Sequence, residues 1–253
     1  MDNEQYKNLM WHLRYIESFL VNIAETIAPG GICECPICKT KFPAFVPFTF
    51  TPSLPRLNAR CPNCNSLERH RKIYLLMQKL NWHRAGIRVL HFAPEKIFYQ
   101  LFKAFGDIDY WTVDLYPEKY GDMVRKAVDI TNITFEDDSF DLIMCTHVLE
   151  HIPDDNKALN EIHRVLKPKT GIALLNVPIS KIPVTLEKSE YNTPELRLKY
   201  YGHSTHMRKY GLDYPQRLRN AGFNVQLFED INDKDLIRYG IDKNEKIFWC
   251  WKD

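Results

Sequence analysis

Between residues 6 and 27, apolar side chains return every three or four positions (Tyr6, Leu9, Leu13, Ile16, Leu20, Ile23, Ile27), the spacing that lines one side of an α-helix. Pro29, Gly30 and Gly31 then stop it, so the pattern predicts an amphipathic helix over 1–29. Such a stripe suits a helix packed on its own protein. It also suits a dimerising seam, so a homodimer through this helix is the alternative expectation, although three heptads are short for a coiled coil. The texture changes after Gly30. Pro43, Pro47, Pro52 and Pro55 interrupt a run of aromatics (Phe42, Phe45, Phe48, Phe50), which opposes any long element and predicts a small loop-rich unit. Periodicity resumes over 65–80, where Asn65 is placed as N-cap, Glu68 reaches back to it, and Ile73, Leu76, Met77 and Leu80 share one face.

From residue 87 onward, short apolar or β-branched runs alternate with helical ones. The runs at 87–92, 110–115, 126–129, 140–145 and 172–177 read as strands. Helices follow the first and fourth; the clearest is DDNKALNEIHRVLK, with Ala158, Leu159, Ile162, Val165 and Leu166 on one face and Pro168 and Gly171 closing it. Alternation of this kind predicts a doubly wound, mostly parallel α/β sheet covered on both faces. The last two runs, 224–228 and 246–251, are close in sequence and fit a closing antiparallel pair. Three segments result: the helix at 1–29, a loop-rich unit with its connecting helix at 30–82, and the α/β domain at 83–253.

Composition adds little to this and excludes some functions. The 253 residues carry 34 Lys and Arg against 32 Asp and Glu, a net charge of +2. That balance opposes a strongly electrostatic nucleic-acid or membrane binder. No apolar run is long enough to span a bilayer, and MDNEQYKN lacks the basic-then-apolar start of a signal peptide, so a cytoplasmic location is expected.

Cysteine usage changes the picture more. Cys33, Cys35, Cys38, Cys61 and Cys64 fall within one stretch of 32 residues. Cys35-Pro-Ile-Cys38 and Cys61-Pro-Asn-Cys64 are two C-x-x-C turns 22 residues apart, the spacing that brings four thiolates to the corners of a tetrahedron around structural zinc. Buried free thiols would not require this spacing, and a redox dithiol needs only one such turn. Cys33 is a fifth candidate, less favoured than Cys35 because Cys35 completes a turn. Cys145 and Cys250 read as core.

In a doubly wound sheet the ligand lies beyond the carboxyl ends of the strands, where the topology reverses. The first strand ends at His91, Phe92, Ala93, Pro94 and Glu95, the second at Asp114, the third at Asp129 and the fourth at His147. A carboxylate closing the second strand, about 20 residues beyond the first turn, is placed for ribose hydroxyls.

The run 89–178, with SFDLI..THVLEHI followed by a helix ending RVLKP, resembles the class I S-adenosylmethionine-dependent methyltransferases of the methyltransferase type 11 group. CPICKTKF, CPNCNSLERHR and RVLHFAPE upstream resemble a subgroup with an N-terminal zinc-binding segment, and YGHSTHMRKYGLDYPQRLRNAGF extends the likeness to about residue 230. The resemblance implies a seven-stranded Rossmann-like sheet. It implies S-adenosylmethionine held by His91, Phe92, Ala93 and Glu95 at the methionine portion, by Asp114 and Leu115 at the ribose, by Asp129 and Ile130 at the adenine edge, and by Thr146 and His147. One departure stands out: the first turn, His91-Phe92-Ala93-Pro94-Glu95, has no glycine where the family places several.

Methyl transfer asks the protein to align an acceptor and take its proton, a task suited to histidine. His147, Glu150 and His151 cluster after the fourth strand, the two histidines four apart and so sharing a face on a helical turn, with His203 and His206 in the later covering segment. His147 and His206 are the leading base candidates. Alternatively, His147-x-x-Glu150-His151 resembles the E-x-x-E-H metal site of RNA 3'-terminal methyltransferases, completed by a distant histidine; in a third reading Glu150 and His151 only cap and pack the turn. Tyr191, Tyr200, Tyr201 and Tyr210 with Arg197 and Arg208 form either an acceptor-clamping lid or core, and Glu68 to Arg71 either contact an anion or form a solvated helix start. The expected activity is methylation of a hydroxyl on a small-molecule acceptor such as a sugar, glycan or natural-product intermediate. RNA methylation and a non-catalytic binding module are the alternatives, nucleic acid being disfavoured by the near-neutral charge.

Overall fold

The computed structural model describes residues 33–49 and 56–253, so the helix expected over 1–29, and the dimer through it, lie outside the described residues. The chain forms two compact units. One takes in the described residues up to Leu80 together with Glu229–Glu245; the other comprises Asn81–Phe228 and Lys246–Asp253.

The first unit contains two small antiparallel pairs, β1 (Cys33–Glu34) with β2 (Lys41–Phe42) and β3 (Val46–Phe48) with β4 (Arg56–Arg60), followed by α1 (Glu68–Lys79). Helix α1 starts at Glu68, with Leu67 as its N-cap, and Asn65 is not a cap. Asn65 is held at φ +61 in the second C-x-x-C turn, its N–H donating to the Cys61 carbonyl, and the Leu67 N–H donates instead to His70 Nδ1 at 3.0 Å. Nor is the helix start solvated: Glu68, His70 and Arg71 are buried.

Arg71 explains why. Its guanidinium donates to the carbonyls of Ala59, Ser66, Tyr239 and Gly240 and lies 3.9 Å from the centre of the Phe45 ring. One buried cation thus ties β4, the start of α1 and the returning 229–245 segment together through charge-assisted hydrogen bonds. That segment carries α6 (Asp233–Arg238) and interrupts the closing hairpin of the larger unit.

The larger unit is a seven-stranded sheet built from β5 (Arg88–Phe92), β6 (Asp109–Asp114), β7 (Lys126–Ala127), β8 (Leu142–Thr146), β9 (Ile172–Asn176), β10 (Asn224–Leu227) and β11 (Phe248–Trp251), in the order β10-β11-β9-β8-β5-β6-β7. All neighbours run parallel except β11, which is antiparallel to both β9 and β10. It is the Rossmann-like arrangement that the alternating pattern predicts. The third strand is shorter than expected, and Asp129 falls beyond it, in a turn paired with Asn132.

Alternation along the strands sends Leu90, Phe92, Ile143, Cys145, Ala173, Leu175 and Cys250 into one core cluster. There they meet Ala158, Leu159, Ile162 and Val165 of α3 (Asp155–Val165) and Tyr214 and Leu218 of α5 (Tyr214–Asn220). His91 belongs to the opposite side and packs against Phe98 and Phe102 of α2 (Lys96–Ala104). Strands buried on both faces read as continuous apolar runs, and these do.

The segment between β9 and α5 carries one helix, α4 (Pro194–Tyr201), and folds back through an antiparallel bridge between Leu186 and Lys209. Among the described residues no helix is long and apolar enough to cross a membrane.

Candidate functional site

The strand order reverses between β5 and β8, whose carboxyl ends lie side by side, so the chain passes in opposite directions from two adjacent strands. Those two ends share an unusual backbone. Ala93 follows β5 at φ +46 and His147 follows β8 at φ +55, both in the left-handed region that costs a side-chain-bearing residue about 1–2 kcal/mol. Strain of this kind gathers where backbone geometry serves a ligand. At Ala93 it also accounts for the missing glycine: the turn keeps the conformation a glycine would supply, with only one methyl added. Thr146 donates to Glu95 Oε2 at 2.9 Å and links the two strand ends.

Not every residue of the first turn presents its side chain. Phe92 enters the core cluster, and His91 is fully buried, with Nδ1 2.8 Å from the Tyr110 hydroxyl and Nε2 without a hydrogen-bond partner. Both can offer a ligand only backbone, while Ala93 and Glu95 remain at the surface of the turn. Burial pushes the His91 imidazole down to about 4, so it is held neutral.

At the end of β6, Asp114 Oδ1 accepts the Tyr116 N–H at 2.8 Å. The Tyr120 hydroxyl is also bonded to this carboxylate, and burial together with the Asp114 charge pushes that phenol up to about 12. Leu115 and Tyr116, directly after Asp114, leave about half their surface exposed (51% and 49%), an apolar step beside a carboxylate. Asp129 is committed locally, its Oδ1 accepting from the N–H and hydroxyl of Thr131 at 2.8 Å, and the Ile130 side chain is core.

Beyond β8 the expected shared helical face of His147 and His151 does not form. His147 is left-handed, and Leu149–His151 is a single tight turn. His147 Nδ1 instead lies 3.3 Å from Glu150 Oε1, and Glu150 is buried with Oε2 unpartnered. His151 turns away to the Thr205 hydroxyl at 2.8 Å and joins His203 and His206. Burial lowers His151, and it brings His206 down to about 4.

In the covering segment the aromatic and basic residues divide. Arg208 is core: it donates to the carbonyls of Leu149, Ile152 and Pro153 and to Glu187, and Tyr210 donates to Asp155 at 2.5 Å. Tyr201 is buried, whereas Tyr191 and Tyr200 stack on each other at 4.0 Å. Tyr110, Tyr120 and Thr205 escaped notice in the sequence because no motif marks them; for Thr205 the H-x-T-H spacing was the available signal.

In the smaller unit Cys35, Cys38, Cys61 and Cys64 converge, with sulfur separations of 3.6 Å (Cys35 to Cys64) and 3.7 Å (Cys38 to Cys61). A tetrahedron of zinc–thiolate bonds has edges of about 3.8 Å, so the thiols already stand where four ligands would. The two turns are built alike. Lys39 and Asn65 are left-handed and donate to the Cys35 and Cys61 carbonyls, and the Cys35 and Cys61 N–H groups donate to Thr40 and Ser66. Cys33 stays outside; its thiol points to the Ile237 carbonyl. Cys145 and Cys250 are buried core.

Known proteins match parts of this chain. A family described as a methyltransferase domain matches residues 97–174, from α2 into β9; neither the first turn nor the cysteine segment lies within the match. An uncharacterised protein of Methanocaldococcus jannaschii is 40% identical over 82 residues, 32% of this chain and 36% of that protein. Demethylmenaquinone methyltransferase of Clavibacter sepedonicus is 27% identical over 105 residues, 42% of this chain and 36% of that protein. The alignments thus span about a third of the length of these curated relatives. Among solved structures, the YcgJ protein from Bacillus subtilis superposes with a TM-score of 0.45 at 17% identity, covering 72% of this chain and 98% of that one. The domain match spans about a third of this chain.

The buried histidine carries a prediction about stability. Between its ordinary value of 6.5 and about 4, the unfolded chain binds a proton that the folded chain refuses, so stability falls as pH drops through that window. His91→Asn removes this dependence. Urea unfolding at pH 7 and pH 4.5 is expected to show the variant losing about 2–3 kcal/mol less than the parent protein; parallel losses would show that His91 does not act this way.

Proposed function

We propose that this chain is an S-adenosylmethionine-dependent methyltransferase acting on a hydroxyl of a small-molecule acceptor, with a structural zinc ion in its four-cysteine unit. The observation that carries the reading is the pair of left-handed residues, Ala93 and His147, on adjacent strand ends at the topological switch, flanked by the Asp114 carboxylate and exposed Leu115 and Tyr116. A nucleoside fits that combination: a carboxylate for ribose hydroxyls and an apolar step for the base. The 91–95 turn, with Glu95 fixed by Thr146, would hold the amino-acid end, and the backbone at Asp129 and Ile130 the adenine edge. When bound, S-adenosylmethionine supplies a methyl group on a positively charged sulfonium.

The chain's own part is then to bind and orient an acceptor and to take its proton. His147 suits this role best. Glu150 holds its Nδ1, which leaves Nε2 to accept a hydroxyl proton, and the buried carboxylate stabilises the imidazolium that forms. His206, at about 4, is a weak base at neutral pH. The net charge of +2 supports a small acceptor over RNA.

For the cysteine unit, the sulfur spacing supports zinc, and so does the charge balance. Burial disfavours the charge of the Arg71 guanidinium, and Cys35, Cys61 and Cys64, as thiolates on a metal, would offset this together with Glu68. A closed four-thiolate shell has no open position, so the ion serves folding.

Three outcomes are expected. In calorimetry the protein binds S-adenosylmethionine and its demethylated product, and Asp114→Ala weakens both by about 10–100-fold, the loss of roughly 1.5–3 kcal/mol of charged hydrogen bonding; no binding by the parent protein would remove the cofactor reading. His147→Asn, which tolerates the left-handed backbone, lowers kcat by about 10²–10⁴-fold with cofactor affinity retained. Stripping metal with a chelator under reducing conditions releases zinc and removes far-ultraviolet ellipticity, with Cys61→Ser behaving like the stripped protein.

A further inference from the structure

His151, His203 and His206 form the densest group of potential ligands outside the four-cysteine cluster. Each offers a ring nitrogen, and these atoms lie within 4.8 Å of one another. Ring centres are 5.8 Å apart for His151 and His203, 4.8 Å for His151 and His206, and 4.9 Å for His203 and His206. All three are only partly buried, so apolar burial does not drive them together.

Two further features point to a ligand at the cluster. Thr205 Oγ1 lies 2.8 Å from His151 Nδ1 and 2.9 Å from His203 Nδ1. A hydroxyl has one proton to donate, so at least one ring must donate through Nδ1, and that ring keeps its Nε2 lone pair free. Bonds of this type orient imidazoles that bind metals. The second feature is Glu150, only 2% exposed, whose Oε2 has no hydrogen-bond partner and whose charge acts on both His151 and His206. His147 Nδ1 stands beside Oε1 only, and a buried carboxylate oxygen left without a partner is costly unless positive charge stands nearby.

We propose that His151, His203 and His206 bind one divalent transition-metal ion, with Glu150 providing the counter-charge. Imidazole ligands select zinc, iron, nickel or copper over magnesium or calcium. Three protein ligands leave a coordination position open for water or an acceptor oxygen. Metal–imidazole bonds set these nitrogens about 3.4 Å apart, so binding draws the partly exposed rings closer than the 4.8 Å within which they lie. The sequence pattern suggested His147, Glu150 and His151 as the ligand set; the fold pairs His147 with Glu150 and supplies His203 and His206 in its place. This site stands independently of the methyl-transfer reading.

Metal analysis of the full chain after zinc loading and desalting tests it. The parent protein is expected to hold two equivalents, and the folded double variant His203→Ala/His206→Ala one. Cobalt(II) added to protein that carries a single equivalent of zinc should give ligand-field bands without thiolate charge transfer. Thr205→Val, a milder change, should weaken the second equivalent by about tenfold or more. A single equivalent in the parent protein, or a second equivalent unchanged in both variants, would overturn the site. Calorimetry with S-adenosylmethionine on the same samples separates the two ideas, since absent cofactor binding with two metals bound sinks methyl transfer and leaves the histidine site standing.

Discussion

The candidate site depends on one constraint of the parallel sheet. β5 has β6 on one side and β8 on the other, and the chain visits β6 and β7 before it returns to β8, so the connections leave two adjacent strand ends in opposite directions. No turn can then cover the gap between those ends. The crevice follows from topology, before any side chain in it is considered. The residues there respond to it: Ala93 and His147 take up left-handed backbone, and Thr146 and Glu95 bond across from one strand end to the other.

What each strand end offers is decided by the alternation of the strand beneath it. Side chains along β5 point alternately to the two faces, so Phe92 belongs to one core and His91 to the other, where α2 and Tyr110 enclose it. The first position free to meet a ligand is Ala93, and its small side chain allows close approach. At β8 Cys145 and Thr146 are both buried, Thr146 reaching across to Glu95, and His147 is the first partly exposed residue. The chemistry of the site is therefore concentrated in residues just past the last strand hydrogen bonds.

In the smaller unit an apolar cluster of Phe42, Phe45 and cysteines is joined by polar and ionic links. Arg71 bonds four carbonyls drawn from β4, the start of α1 and the returning 229–245 segment, and stacks on Phe45. Gly240 is required beside it: a Cβ there would fall 2.3 Å from the Phe45 ring, and its φ is +56. A guanidinium buried this deeply is stabilised by negative charge nearby, and the Glu68 carboxylate and the sulfurs of Cys35, Cys61 and Cys64 are the groups that act on it.

The strands of the large sheet, the α3 helix and the two cysteine turns were legible from the sequence because each depends on local periodicity or fixed spacing. Four cysteines in two turns leave few ways to arrange their sulfurs, and an apolar run bounded by turn residues has few alternatives to a buried strand. The long-range contacts were not legible. The 229–245 segment joins the cysteine unit across more than 150 residues of chain, Asn65 serves a turn rather than a helix, and His151 leaves its sequence neighbour His147 for His203 and His206. In each case a local preference competed with a hydrogen bond or charge from a distant part of the chain. The distant partner won because only the folded backbone brings a buried polar group within reach of what satisfies it.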